Sequence, residues 1–261
     1  MKIVASAIAI LIFAAGIGHA AEEVEEEKEF LPRVEFELNY WAAALDSTAK
    51  FNDEGQGTEF SMKDDLGMDD SGVPGFKFKL FTGPKSDIRF NIVSFGYSGD
   101  NQLSKQITFE GESYLAGTRI KSSLDVIYYG VGWAWRFIGD EDGTVKFGTL
   151  VELKGISMNA SLEAPDLLQK GSASINALFP TFGLSFSAKA AEKLLIIAEA
   201  TGISLGDSGY FVDADIGLRF YPIRNISVLG GYRIFNMDAK DSQNFFKFNM
   251  SGPYLGASAR F

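Results

Sequence analysis

The chain has 261 residues, no cysteine, one histidine, 28 glycines, 23 phenylalanines and only 7 prolines, with a formal net charge of −10 at pH 7. The missing cysteine excludes disulfides and the lipidated residue of a bacterial lipoprotein. The acidity disfavours nucleic acid as a partner, because phosphate binding needs a basic footprint.

Met1–Ala20 opens with Lys2, runs apolar from Ile3 to Ile17 and ends Gly18-His19-Ala20 ahead of Ala21. This is the pattern of a secretory signal peptide cleaved near Ala20. Residues 21–32 form an acidic tail, with Glu22, Glu23, Glu25, Glu26, Glu27 and Glu29 against Lys28. After the leader no stretch approaches the ~20 apolar residues of a transmembrane helix. A mature chain that spans a bilayer must then close into a barrel, the other structure that satisfies every backbone polar group there. Residues 33–261 are long enough for one such domain.

From Arg33 the period is two. Val34, Phe36, Leu38, Tyr40 and Ala42 share one face, with Glu35, Glu37, Asn39 and Trp41 on the other, a first strand over 33–43. Leu45–Gly72 reads as a long polar connection. Phe76, Phe78 and Leu80 oppose Lys77 and Lys79 up to a turn at Thr82–Asp87, whose Gly83-Pro84 favours a tight reversal. Ile88, Phe90 and Ile92 oppose Arg89 and Asn91. That pattern fails near Phe95, which predicts a bulge or an exit from the membrane.

After a polar stretch, Gly99–Gly117, the outward set is Ile127, Tyr129, Val131, Trp133, Trp135 and Phe137, backed by Tyr128, Gly130, Gly132, Ala134 and Arg136. Bulky and aromatic residues on one face with small ones behind them fit a barrel wall facing lipid. A turn at Asp140–Gly143 leads to Thr144–Lys154, with Lys146, Gly148, Glu152 and Lys154 inward. A polar connection over Asn159–Ser174 precedes Leu178–Lys189, where Pro180 implies a bulge or an edge of regular pairing. Leu194–Gly202 carries Glu199 and Thr201 inward. Val212–Tyr221 puts Asp213, Asp215 and Arg219 inward, and Ile226–Phe235 adds Arg233. The last loop, 238–244, precedes a strand ending Gly252-Pro253-Tyr254-Leu255-Gly256-Ala257-Ser258-Ala259-Arg260-Phe261.

That final strand resembles the terminal strand of Gram-negative outer-membrane β-barrels, including OmpA-, OmpX- and OmpW-like proteins, with Ala259 where those usually carry a larger residue. The stretch Asp65-Leu66-Gly67-Met68-Asp69-Asp70 with Gly72–Lys77 likewise resembles a segment before the second strand of small outer-membrane barrels. The resemblance implies an outer-membrane location, a periplasmic acidic tail, outer-membrane lipid as surroundings, and the barrel-assembly machinery as a partner reading Tyr254, Gly256 and Phe261. The expected fold is all-β, a closed antiparallel up-and-down barrel of about ten strands. Eight or twelve strands stay open, as does a soluble β-sandwich, which would bury one face of each strand in the same way. The short connections, at 82–87, 139–143, 190–193 and 222–225, are expected on the periplasmic side and the long ones outside.

Enzyme chemistry is disfavoured. The outer-membrane barrels known as enzymes resemble one another in using a histidine as general base, and His19 leaves with the leader. No cofactor is implied. Asp64, Asp65, Asp69 and Asp70 are a weak metal candidate: four carboxylates suit a hard cation, but they lack the spacing of a calcium-binding loop. The expected lumen carries Glu35, Glu37, Lys77, Lys79, Arg89, Arg136, Glu152, Lys154, Glu199, Asp213, Asp215, Arg219, Arg233 and Arg260. Their mixed signs favour a paired polar core. The alternative is a narrow channel or small-ligand cavity around Lys77, Lys79, Arg136 and Arg219, a selective pore for small polar solutes. The expected role is thus structural, surface-interaction or narrow-transport, with the oligomeric state unassigned.

Overall fold

A computed structural model describes residues 32–50, 57–139, 144–240 and 245–261. The predicted signal peptide, the acidic tail as far as residue 31, the turn residues 140–143 and loop residues 241–244 lie outside the described residues.

Among the described residues thirteen strands follow in chain order: β1 Val34–Lys50, β2 Phe60–Ser61, β3 Ser71–Gly83, β4 Ser86–Gln102, β5 Ile107–Phe109, β6 Glu112–Tyr114, β7 Arg119–Ile138, β8 Val145–Ala164, β9 Gln169–Ala191, β10 Leu194–Ser204, β11 Gly209–Ile223, β12 Ile226–Lys240 and β13 Phe245–Arg260. Ten of them, all but β2, β5 and β6, form one antiparallel up-and-down sheet that closes where β13 pairs with β1. This gives the expected ten strands, and closure excludes the sandwich. At the seam the Phe261 carbonyl accepts hydrogen bonds from the Arg33 and Val34 amides at 2.6 and 3.0 Å.

The registers fix the barrel's stagger. From Val93, one route round the sheet passes Tyr128 and Ile156 to Ala177, and the other passes Gly75, Asn39, Gly256, Leu229, Arg219 and Leu195 to Lys189. The routes meet on β9 at 189 and 177, a shear of 12 residues. Such a stagger tilts the strands by about 40° and leaves an interior that side chains can fill.

Below a definite level the wall is apolar outside and polar inside. Leu255, Phe182, Leu178 and Ile216 expose 70%, 61%, 61% and 59% of their surface. They belong to a continuous apolar belt far larger than a water-soluble monomer presents. On β7 the belt runs from Ile127 to Phe137, about 11 residues and the span of a tilted transmembrane strand.

Above that level both faces invert. Outward, Ala44 gives way to Asp46, Ile92 to Ser94, Ile127 to Asp125, Leu178 to Asn176 and Ile234 to Asn236. Inward, charged residues give way to Leu45, Val93, Val126, Ile156 and Phe235, all buried. The strands thus continue beyond the membrane as the wall of a water-soluble barrel with an apolar core.

This inversion corrects several expectations. There is no bulge at Phe95: β4 and β7 pair without interruption from Ser86↔Trp135 to Gln102↔Arg119, so the exit from the membrane is the right reading. The first strand does not stop at 43 but reaches Lys50, and the connection is 51–70 rather than 45–72. The stretch 99–117 is partly β4 and partly a β5–β6 hairpin, whose Glu110 and Gly111 have φ of 51° and 76°, as a two-residue hairpin turn requires. The supposed connection 159–174 is strand on both sides of a tight turn at Pro165–Leu168. Pro180 sits in unbroken register opposite Leu153, so it makes no bulge. The β9–β10 ladder does end at Phe182, beside the proline that has no N–H to donate, so the edge reading holds.

Candidate functional site

Every charged lumen residue expected from parity lies on an inward-facing position, and the structure shows which neighbours meet. Arg219 donates to Glu35 at 2.7 Å and to Glu37 at 2.5 Å. Glu35 also pairs with Arg260, whose guanidinium stacks 4.8 Å from the Tyr221 ring centroid. Asp213 is a second hub. It takes a bidentate pair from Arg233 at 2.9 and 3.0 Å, the Tyr128 hydroxyl at 2.8 Å and the Lys154 ammonium at 3.2 Å. Lys154 reaches Glu152 at 3.1 Å and Thr201 at 2.6 Å, and Arg233 stacks on Trp41 at 4.9 Å. A third group joins Arg89 to Glu199 at 2.9 Å and to Asp87 at 3.0 Å, with Arg136 on Asp87 at 3.2 Å.

Asp87 escaped the sequence reading. It falls inside Thr82–Asp87 and reads as turn chemistry, yet it is only 1% exposed and shares parity with Arg89 and Asn91. Continuing the alternation two residues toward the turn finds it. Lys77 and Lys79 are held most loosely: Lys77 lies 3.9 Å from both Glu37 and Asp215, and Lys79 lies 3.8 Å from Glu35. A cavity of about 120 Å³ lies against these two lysines, Arg89, Arg136 and Arg219.

The far end of the lumen is filled. The connection 57–70 folds into the mouth and buries Phe60, Met62, Leu66 and Met68, each no more than 3% exposed. Ile107, Phe109 and Tyr114 of the β5–β6 hairpin pack there too, with Phe246, Phe248 and Met250 of β13. Gly99 permits the insertion, since a Cβ there would lie 2.1 Å from the Leu66 carbonyl oxygen. Ser122 donates to that carbonyl at 3.1 Å, and Asn101 donates to the Asp64 and Asp65 carbonyls at 3.2 and 3.1 Å.

The aspartates of the weak metal candidate do not converge. Asp70 accepts from the Leu45 amide and from Lys63, both at 2.9 Å. Asp65 accepts from the Ser61 amide at 2.8 Å and pairs with Lys105 at 2.9 Å. Among the described residues no group of three or more acidic or histidine side chains is placed to hold a metal ion.

At the terminal strand, Tyr254 points inward and donates to Asp215 at 3.3 Å, while Phe261 lies outward with its ring 6.4 Å from that of Phe36. On the same lipid-facing side Trp133 and Trp135 stack at 6.5 Å near the short-turn end.

No protein-family model and no curated protein matches the sequence. Among solved structures, the outer membrane protease OmpT from Escherichia coli superposes with a TM-score of 0.62 at 7% identity, covering 87% of this chain and 96% of that one. The translocator domain of the autotransporter NalP from Neisseria meningitidis covers 98% and 95% at 12% identity, TM-score 0.44. The attachment invasion locus protein Ail of Yersinia pestis covers 88% and 99% at 14% identity, TM-score 0.38. The chain therefore has a ten-stranded β-barrel fold that superposes on the OmpT protease, the fold of an outer-membrane barrel.

Proposed function

We propose that the protein is an integral outer-membrane barrel, closed at its external end, that serves as a structural or surface-interaction protein rather than as an open pore. The observation that carries this is the apolar plug: residues of the 57–70 connection and the β5–β6 hairpin occupy the mouth through which a solute would leave. The charged layer beneath supports the same reading, because most of its ions are paired with one another across the lumen. In this reading the short turns, the start of β1 and the end of β13 face the periplasm, and β13 presents Tyr254, Gly256 and Phe261 to the assembly machinery.

Surface interaction is favoured by apolar groups that the external connections leave outside. Leu168 is 95% exposed and sits at φ 52°, a left-handed position that a leucine adopts only at a cost. Leu167 and Leu115 are 57% and 59% exposed, and a Gln169–Glu112 hydrogen bond of 2.6 Å ties their two connections together. Enzymatic activity is not part of the proposal, since the one histidine, His19, falls in the expected leader and the mouth is filled by apolar side chains. Single-channel recording in planar bilayers tests the closed state: the wild type gives no conductance steps, and steady steps would overturn it in favour of a selective pore.

A further inference from the structure

The plug blocks one end of the lumen, but the cavity toward the short turns is neither filled nor electrically balanced. Its walls carry Lys77, Lys79, Arg89, Arg136, Arg219 and Arg260 against the carboxylates Glu37, Asp87, Glu199 and Asp215, with Glu35 behind Arg219 and Arg260. Lys146 also lines the cavity and is left out of the count, since it has an interaction of its own. Six cations thus face five carboxylates.

Four of the five carboxylates are already taken by arginines, and the fifth, Asp215, accepts from the Tyr254 hydroxyl at 3.3 Å. Glu35 and Glu37 hold Arg219, while Arg89 holds Asp87 and Glu199. The ammonium groups of Lys77 and Lys79 come no closer than 3.8 Å to any carboxylate oxygen among the described residues, beyond hydrogen-bond reach. Across one ladder Lys79 faces Arg89, two cations side by side, and across the other it faces Glu35, which Arg219 and Arg260 already hold. Like charges so placed destabilise a sheet unless a counter-charge joins them. Each ammonium brings three N–H donors and no acceptor. The cavity is therefore rich in donors and poor in acceptors, and its 120 Å³ is well above the ~10–15 Å³ that one water needs.

We propose that this cavity is an anion-binding site for a phosphate group, held by Lys77 and Lys79 with Arg89 and Arg136 beside them. A tetrahedral oxyanion offers several acceptor oxygens to several donors at once, supplies the missing negative charge and fits a blind chamber. The site goes beyond the closed-barrel reading and does not depend on the plug, so a conducting barrel would leave it standing and a sealed one would not prove it.

The test uses the whole barrel refolded into detergent micelles, with calorimetry and phosphorus NMR against inorganic phosphate at fixed ionic strength. One saturable site per barrel is expected. Binding falls at least tenfold in Lys77→Gln/Lys79→Gln and is unchanged in Lys247→Gln, on the external part of β13. Lys79→Met, which keeps the side chain's packing, serves if the double variant does not show the heat-modifiable gel mobility of a folded barrel, and it too binds at least tenfold more weakly. Glycerol 3-phosphate is the second probe: competition with phosphate extends the site to phosphate monoesters, and failure to compete confines it to the free ion. The proposal is overturned if no saturable binding occurs, if chloride at equal ionic strength displaces phosphate as well as phosphate itself does, or if the lysine variants bind like the wild type.

Discussion

Replacing Asp213 by asparagine keeps its shape and removes its charge, which isolates the electrostatic part of the lumen hub. Arg233 then loses its single carboxylate within 4 Å among the described residues, at a site where its side chain is 8% exposed. Lys154, 3% exposed, loses one of two and keeps Glu152. Stripping one partner from a buried ion pair costs about 3–5 kcal/mol, because the remaining charge stays desolvated. Most of that should come from Arg233, since Lys154 retains a counter-ion. Urea unfolding in lipid vesicles, followed by tryptophan fluorescence, measures it, and Trp41 beneath Arg233 reports on the site directly. The double variant Asp213→Asn/Arg233→Gln should recover at least half the loss, because no charge is left stranded. A single variant within about 1 kcal/mol of wild type, or a double variant worse than the sum of its parts, would refute the claim that the hub is a desolvated network.

Arginine at Val131, midway along the lipid-facing run of β7, should cost about 2–4 kcal/mol in the same assay. Gly132 faces the lumen, and from sequence alone a serine there is expected to be cheap; the structure reverses this, since a Cβ would lie 2.8 Å from the Val151 carbonyl oxygen and 2.4 Å from the Glu152 Cγ. Gly132→Ala should therefore cost about 1–3 kcal/mol by overpacking, and a neutral result would mean that β7 and β8 approach less closely. Cysteines placed at Asp166 and Lys247 should react with a membrane-impermeant label on whole cells while one at Lys85 should not; labelling only at Lys85 would reverse the orientation. In the 57–70 connection, the hydrogen bond from Lys63 and then that from the Leu45 amide hold the Asp70 carboxyl below its usual value. A depressed folded value contributes stability that is present above the ordinary carboxylate range and lost as pH falls through the folded one. The protection factor of the Leu45 amide, which allows for the slowing of intrinsic exchange in acid, should thus fall on acidification below that range, and the fall should be absent in Asp70→Asn.

The membrane-level wall was legible because one rule, apolar at every second residue, holds wherever lipid is outside and charge is inside. Ile127–Phe137 and Val212–Tyr221 obey it, and both are placed as the alternation requires. The same rule failed above the membrane, where the outward residues Asn159, Ser161 and Ser174 face water and the inward Met158, Leu162 and Ile175 make a core. A polar outward row reads as loop only to a reader who assumes lipid throughout. Inward charges were legible from parity, but not their partners. Glu35 and Arg219 stand 184 positions apart, and the shear of the closed sheet decides that they meet. The plug was illegible for another reason: Phe60, Met62, Leu66 and Met68 share a parity, but Asp64 interrupts it within an aspartate-rich stretch that reads as a polar connection, and they hang from that connection rather than from the wall.

The seam has a consequence for the order in which the molecule can assemble. Glu35 and Glu37 sit on the first strand, and the cations that neutralise them come from the other end of the chain, Arg219 on β11 and Arg260 on β13. Until β13 arrives, β1 offers an unpaired ladder edge and two carboxylates held only by the looser Lys77 and Lys79 of β3, a combination that the hydrocarbon interior rejects. A half-built sheet is therefore no stable stopping point within the bilayer. The chain must gather β1 and β13 together before its wall is surrendered to lipid, and closure across more than 200 residues, as between Glu35 and Arg260, makes that step slow in the absence of a catalyst that holds the two edges.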